Sequence, residues 1–241
     1  MISVFLTSIR PHNWMKLYAS CAQATSSDFE VVITGPKDAA FTRPPNMRFV
    51  YTDVKPAQAL EAAARNCRGD YVVQAVDDIE FTPGAFDLML DVLKEPRTIA
   101  TCVYWVHGVE HMISHTENIF GAEGGYPNKA TKNPPAPICP MLRSLDWSMA
   151  NGSDPIFGAQ YAQDDLYFRL LAGGWRTVFV NGRVTEASGG SDLWRTKGQN
   201  DLTTLRSLWR TPDGEWTTEL RKGSGMYNGL TILTQNQGRV W

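Results

Sequence analysis

No apolar run in this chain approaches the roughly 18 residues that a membrane helix needs. The N-terminal MISVFLTSIRPH carries only about five consecutive apolar residues, with no basic residue ahead of them, so no signal peptide is read there. Cysteine is sparse: Cys21, Cys67, Cys102 and Cys139 are scattered, with no spacing that makes a zinc knuckle or a redox pair. Such thiols suit a reducing compartment. Neither sign of charge dominates, with 23 basic against 25 acidic residues and a formal net charge of -2. That excludes a global electrostatic pull toward nucleic acid or anionic lipid and leaves a local basic groove open. No internal repeat and no low-complexity segment is present. These absences predict a soluble cytoplasmic protein, of the host cytoplasm if the source is a virus. The 241 residues, 43% of them hydrophobic, suffice for one large α/β domain.

The chain begins as alternating strands and helices. Apolar runs at Ile2–Leu6, Phe29–Ile33, Met47–Tyr51 and Tyr71–Val76 predict buried strands. Helices are predicted from Trp14 to about Ala24 and from Pro56 through AQALEAAARNC, the latter opened by Pro56 and closed near Gly69. Thr82 is an N-cap candidate for a further helix, in which Phe86, Met89, Leu90 and Leu93 share one face. Beyond a weakly patterned stretch from His107 to Pro140, Gln163–Gly174 predicts a helix and Thr177–Val180 a strand. Alternation of this kind predicts a mostly parallel sheet flanked by helices on both faces. Ligands of such sheets bind beyond the carboxyl ends of the strands. The loops there are Thr7–Asn13, Gly35-Pro36 and Asp77–Glu80, which makes Thr7, Arg10 and Gly35 donor-contact candidates.

Two acidic pairs carry the chemistry. Asp77-Asp78, with Glu80 following, ends a buried strand and offers hard oxygen ligands for Mg²⁺ or Mn²⁺. Asp164-Asp165 opens a helix, where one carboxylate can serve as a general base and the other as a cap or a positioning group. Read singly, each pair is also explained as a solvated acidic turn or a helix cap.

The segment AARNCRGDYVVQAVDDIEFTPGAFDLML resembles the nucleotide-sugar segment of the inverting glycosyltransferases called family 2, whose fold is the Rossmann-like GT-A type. The resemblance rests on Ala64, Arg65, Asn66, Gly69, Asp70, Asp77, Asp78 and Pro83. It implies that Asp78 binds the metal, that Asp77 stands near the ribose or the metal, and that Arg65 lines the nucleotide pocket. A second resemblance runs through MLRSLDWSMANGSDPIFGAQYAQDDLYFRLLAGGWRTVFV, on Asp154, Phe157, Asp164, Asp165, Leu166, Arg169, Leu170, Gly174 and Trp175. It implies a catalytic base in the Asp164-Asp165 pair, with Asp165 slightly preferred. The chain departs from the family at three points. Val76 replaces an acidic residue, Ala162-Gln163 stand where Glu-Asp is usual, and no histidine follows the 177–180 strand. Glu186 falls roughly at that histidine's place and becomes a metal candidate. Lys197 or Arg195, beyond Gly189-Gly190-Ser191, is a diphosphate candidate.

The expectation is therefore a GT-A domain over residues 1–190, with a nucleotide-sugar half at 1–100 and an acceptor half at 101–190. Residues 191–241 are expected to be an extension packed on the same domain. Its activity is expected to be a single, metal-dependent transfer from a nucleotide-diphosphate sugar, UDP-sugar first, to an acceptor hydroxyl, with inversion. The acceptor is expected to be a polysaccharide or lipid precursor, a protein, a small molecule, or a hydroxymethylated nucleic-acid base. For the last, the basic residues Arg195, Lys197, Arg206, Arg210, Arg221 and Lys222 would help hold phosphate, although ordinary solvated surface is the favoured reading of that cluster. Trp147 and Trp194 are candidates for stacking on a ligand, and His12 for stacking on a base. His107, His111 and His115 recur every fourth residue and are read as facing solvent or acceptor in preference to zinc. A nucleotidyltransferase of the same fold is the nearest alternative, although TSIRPHNW has no glycine for its phosphate loop. A non-catalytic nucleotide-sugar-binding module is the other.

Overall fold

The computed structural model describes residues 1–106, 108–111, 137–159, 161–186 and 200–209. Nine described strands form one sheet, in the order β3-β2-β1-β4-β8-β6-β9-β5, with β7 paired to β6. β1 (Ile2–Thr7) lies between β2 (Phe29–Gly35) and β4 (Tyr71–Gln74), parallel to both, and β3 (Met47–Tyr51) adds in parallel to β2. These strands are apolar along almost their whole length because both faces are covered. On one face, Val4, Leu6, Val31, Ile33 and Val73 meet α1 (Trp14–Ala24) and α3 (Ala85–Val92) through Trp14, Leu17, Cys21, Phe86 and Met89. On the other, Phe5, Val32 and Val72 meet α2 (Pro56–Arg65), α4 (Ser144–Met149) and α5 (Ala162–Ala172) through Ala63, Trp147, Leu166 and Leu170. Each such large side chain taken from water contributes about 1.5–3 kcal/mol.

The second half of the sheet mixes directions. β8 (Met141–Arg143) runs antiparallel between β4 and β6 (Thr98–Val106). β9 (Arg176–Glu186) is parallel to β6, and β5 (Ile79–Phe81) closes the far edge antiparallel to β9. A short β7 (Val109–His111) returns on β6, so the stretch expected to be loop from residue 107 begins with paired strand. The strand expected at Thr177–Val180 continues to Glu186. Its pairing with β6 shifts register between Cys102 and Val103, so Asn181-Gly182 form a bulge. Gly182 is required there, since a Cβ would lie 2.8 Å from the Cys102 sulfur. Helix α3 is capped by Gly84 in the left-handed conformation, not by Thr82.

Helix α6 (Asp201–Trp209) packs Leu205 and Trp209 against Ala57, Phe157, Ala162 and Phe168. Asp201 accepts the backbone N–H groups of Gly158 (2.9 Å) and Ala159 (2.8 Å), which ties α6 to the segment leading into α5.

At the carboxyl end of β2, a Cβ on Gly35 would stand 2.2 Å from the Ser8 carbonyl oxygen, so glycine is what lets the loop after β1 close over β2. Gly35→Ala is expected to lower unfolding free energy by about 1–3 kcal/mol, read by urea denaturation. An unchanged midpoint would show that this loop is not held as described.

Candidate active site

Strand β4 delivers its acidic residues to the same end of the sheet as Thr7 and Gly35. Asp77 is buried, and a buried carboxylate needs donors. Ser8 Oγ donates to Asp77 Oδ2 at 2.5 Å. That hydroxyl in turn accepts from Trp14 Nε1 (2.8 Å) and from the Arg10 backbone N–H (3.0 Å). Arg10 donates from Nε to Asp77 Oδ2 at 3.1 Å and from Nη2 to Asp77 Oδ1. The same Nη2 lies 2.9 Å from Asp78 Oδ2. Burial opposes the charge on Arg10, but its bonds to Asp77 and Asp78 outweigh that and raise its pKa.

The bulge carries the last residue of β9, Glu186, into register with Ile79, next to Asp78. Burial raises the Glu186 carboxyl to about 7; the charge of Asp78 adds to this and Arg10 opposes it. Glu80 instead pairs with Lys16 at 2.7 Å on an exposed edge.

Whether these residues suit a divalent cation turns on one contact. A single positive nitrogen, Arg10 Nη2, reaches an oxygen of both Asp77 and Asp78, so the two carboxylates converge on one point. Mg²⁺ commonly takes one or two carboxylates and completes its shell with water and substrate phosphates. The donor set fits such a cation. Among the described residues no group of three or more His, Cys, Asp or Glu forms a preassembled metal cage.

The second acidic pair divides sharply. Asp165 is fully buried and its oxygens are engaged: Oδ2 accepts from Arg169 Nε at 3.0 Å and Oδ1 from Trp209 Nε1 at 2.8 Å. Arg169, equally buried, also donates to the carbonyls of Ala150 and Gly152. The preference for Asp165 as base is therefore corrected: its side chain holds α5 to α6 and to the turn after α4. Asp164 is buried as well, 8% exposed, and no side-chain hydrogen bond to it is seen among the described residues. Burial pushes its carboxyl up to about 7, opposed by its own backbone N–H and reinforced by the charge of Asp165.

The two pairs stand at neighbouring element ends. Gln74 Nε2, at the end of β4, donates to Gln163 Oε1 at 2.5 Å, so the first turn of α5 rests on the strand that leads to Asp77. Burial raises the Tyr167 phenol, and Asp164 adds to it. Burial raises the Cys139 thiol as well, and Cys102 and Asp78 add to it.

Other predicted site residues separate from this cluster. Thr7 Oγ1 donates to the Thr34 carbonyl at 3.2 Å, within the strand ends. Arg65 ends α2 at the end of the sheet away from the carboxyl ends of the strands and pairs with Glu61 at 2.9 Å, so it is not brought to the acidic loop. The reason is directional: α2 runs away from the carboxyl ends, and β4 must run its full length back from Tyr71 to reach Asp77. Trp147 is a core residue, edge-on to Phe5 at 4.9 Å with its indole N–H on Glu61, and is not a ligand platform. His12 is exposed in the turn after β1. Lys197, Arg195, Trp194 and the Gly189-Gly190-Ser191 loop lie outside the described residues. So do His107, His115 and most of the basic C-terminal cluster. Sequence reasoning missed Ser8 and Gln163, whose only signal was that buried carboxylates and amides must find partners.

Comparison with known proteins adds the fold. The structure matches that of S. aureus TarS 1-349 in complex with UDP, with a TM-score of 0.52 and 11% identity, over 77% of this chain and 60% of that one. The fold is of the GT-A type. This chain therefore spans less than two thirds of that neighbour. No protein-family model matches the sequence, and no curated protein matches it. Among the described residues no helix is long and apolar enough to cross a membrane.

Removing one partner of a buried ion pair strands the other, so Asp165→Ala is expected to cost about 3–5 kcal/mol in urea denaturation. Asp164 behaves oppositely. Its folded pKa lies above its unfolded value, so the folded state holds the extra proton and stability falls as pH rises from about 4 through about 7. The stability of Asp164→Asn relative to the unsubstituted protein should therefore rise across that window. A gap that stays flat from pH 4 to 8 would mean that Asp164 is not buried as described.

Proposed function

We propose that the protein is a nucleotide-sugar glycosyltransferase that binds its donor at the Arg10–Asp77–Asp78 end of the sheet and uses Asp164 as general base. The observation that carries the reading is that a GT-A-type fold bears a buried carboxyl, raised by burial to about 7, on a helix whose first turn is bonded through Gln163 to the strand that leads to Asp77 and Asp78. A base works best when its pKa lies near the working pH, and environments that push it there are common at active sites. The UDP bound by TarS, whose fold is similar, supports a UDP-sugar donor.

In this reading the nucleotide lies over the loops after β1 and β2. Asp77 and Asp78 would hold a divalent cation, which would supply charge neutralisation for the leaving diphosphate. Asp164 accepts the proton of an acceptor hydroxyl as that oxygen bonds to the anomeric carbon. The bond from that carbon to the diphosphate oxygen breaks, its electron pair leaves with the nucleotide, and the anomeric configuration inverts. Ser8 and Trp14 fix Asp77, Asp165 and Arg169 fix the helix that carries Asp164, and water is excluded by the burial around it. The acceptor is a hydroxyl-bearing glycan or a hydroxymethylated DNA base.

A screen of nucleotide sugars for Mn²⁺-dependent hydrolysis, followed by transfer to oligosaccharides and to hydroxymethylated DNA, tests the reading. Activity should rise with pH through about 7 as Asp164 loses its proton. Asp164→Asn should keep UDP affinity within about twofold and slow transfer about 10²–10⁴-fold. Asp78→Ala should lose UDP binding itself. Donor binding without hydrolysis or transfer across the screen would make the protein a binding module instead.

A further inference from the structure

We propose that Arg10 is a resident counter-ion that competes with the divalent cation for Asp77 and Asp78, so that the cation binds tightly only when a nucleotide diphosphate draws the guanidinium away. The inference rests on the nucleotide-sugar reading for the identity of that diphosphate, but the competition itself rests on geometry alone.

Arg10 uses its Nε and Nη2 edge on Asp77 and the same Nη2 on Asp78. The point where a cation would touch both carboxylates is therefore filled by a nitrogen that already carries positive charge. A divalent ion added with Arg10 in place would sit within contact range of a like charge, in surroundings where Coulomb energies are only partly screened. The two cations exclude each other.

The side chain is free to change partners. Its own surface is 25% exposed, and it springs from the loop between β1 and the short 3-10 turn Pro11–Asn13 rather than from a strand or helix. Its departure leaves Asp77 still bonded to Ser8 Oγ, which is itself fixed by Trp14. Asp77 thus keeps its position when the guanidinium leaves. A planar guanidinium fork matches the paired oxygens of a phosphate as well as those of a carboxylate. A diphosphate arriving with its cation therefore supplies what Arg10 loses. The exchange makes cation and nucleotide bind cooperatively, each raising the affinity of the other by the same factor.

The test is Mn²⁺ binding to the full chain by electron paramagnetic resonance and calorimetry, with and without UDP. Without UDP, Arg10→Gln should bind Mn²⁺ roughly tenfold or more tighter than the unsubstituted chain. Arg10→Lys, which keeps the charge but cannot span both carboxylates, should fall between them. UDP should tighten Mn²⁺ binding strongly in the unsubstituted chain and much less in Arg10→Gln. Asp78→Asn should lose the tight site in either background. Equal or weaker Mn²⁺ binding by Arg10→Gln overturns the competition, as does tight binding that survives Asp78→Asn. If Arg10→Gln tightens Mn²⁺ binding while UDP has no effect on any variant, the competition stands and the nucleotide-sugar reading fails.

Discussion

Negative charge held inside a low-dielectric interior is the constraint around which this fold is arranged. A lone buried carboxylate is unstable as an anion, and the chain meets that cost differently at each site. Asp77 is answered by a hydroxyl and a guanidinium, Asp165 by a guanidinium and an indole N–H, and Asp201 by two backbone N–H groups. Asp164 has no such answer among the described residues and rises to about 7 instead. Glu186, half-sheltered beside Asp78, does the same. Charges that are fully paired belong to the scaffold. Those left underpaired, or paired with a partner that can leave, are available for chemistry.

The sheet half was legible in the sequence because its strands are buried on both faces and read as unbroken apolar runs. Ile2–Thr7 and Phe29–Gly35 gave no ambiguity of period. The acidic strand end was legible too, since Asp77-Asp78 follows such a run. The antiparallel half was harder. Ile79–Phe81 is too short to show a pattern, and Asn181-Gly182 carries the local chemistry of a turn although pairing with β6 makes it a bulge. Adjacent aspartates at 164 and 165 look alike in one dimension. A helix turns by about 100° per residue, so one faces Arg169 and Trp209 and the other does not. Arg169, one turn on in the same helix, and Trp209 of α6, distant in sequence, distinguish them.

Arg65 shows how a resemblance in composition can mislead about place. Ala-Arg-Asn followed by Gly and an acidic residue is a plausible motif, but here the arginine closes a helix that has run away from the carboxyl ends of the strands. Its charge is spent on Glu61, four residues back, an exposed pair of the kind worth less than about 1 kcal/mol. Arg10, which came from the loop position alone, is the arginine that meets the acids.

That pairing connects scaffold and function more tightly than either acidic pair does by itself. With Arg10 seated, the strand end carries two carboxylates and one guanidinium, a charge small enough to remain buried while no ligand is present. With a cation and a diphosphate, the same residues carry more positive charge against more negative charge, and the balance is again close to neutral. A site that stays near neutrality in both states needs little rearrangement of the core between them. The rearrangement is confined to one exposed side chain on the loop after β1, where Gly35 lets that loop pack down and Ser8 keeps Asp77 aimed while its partner changes.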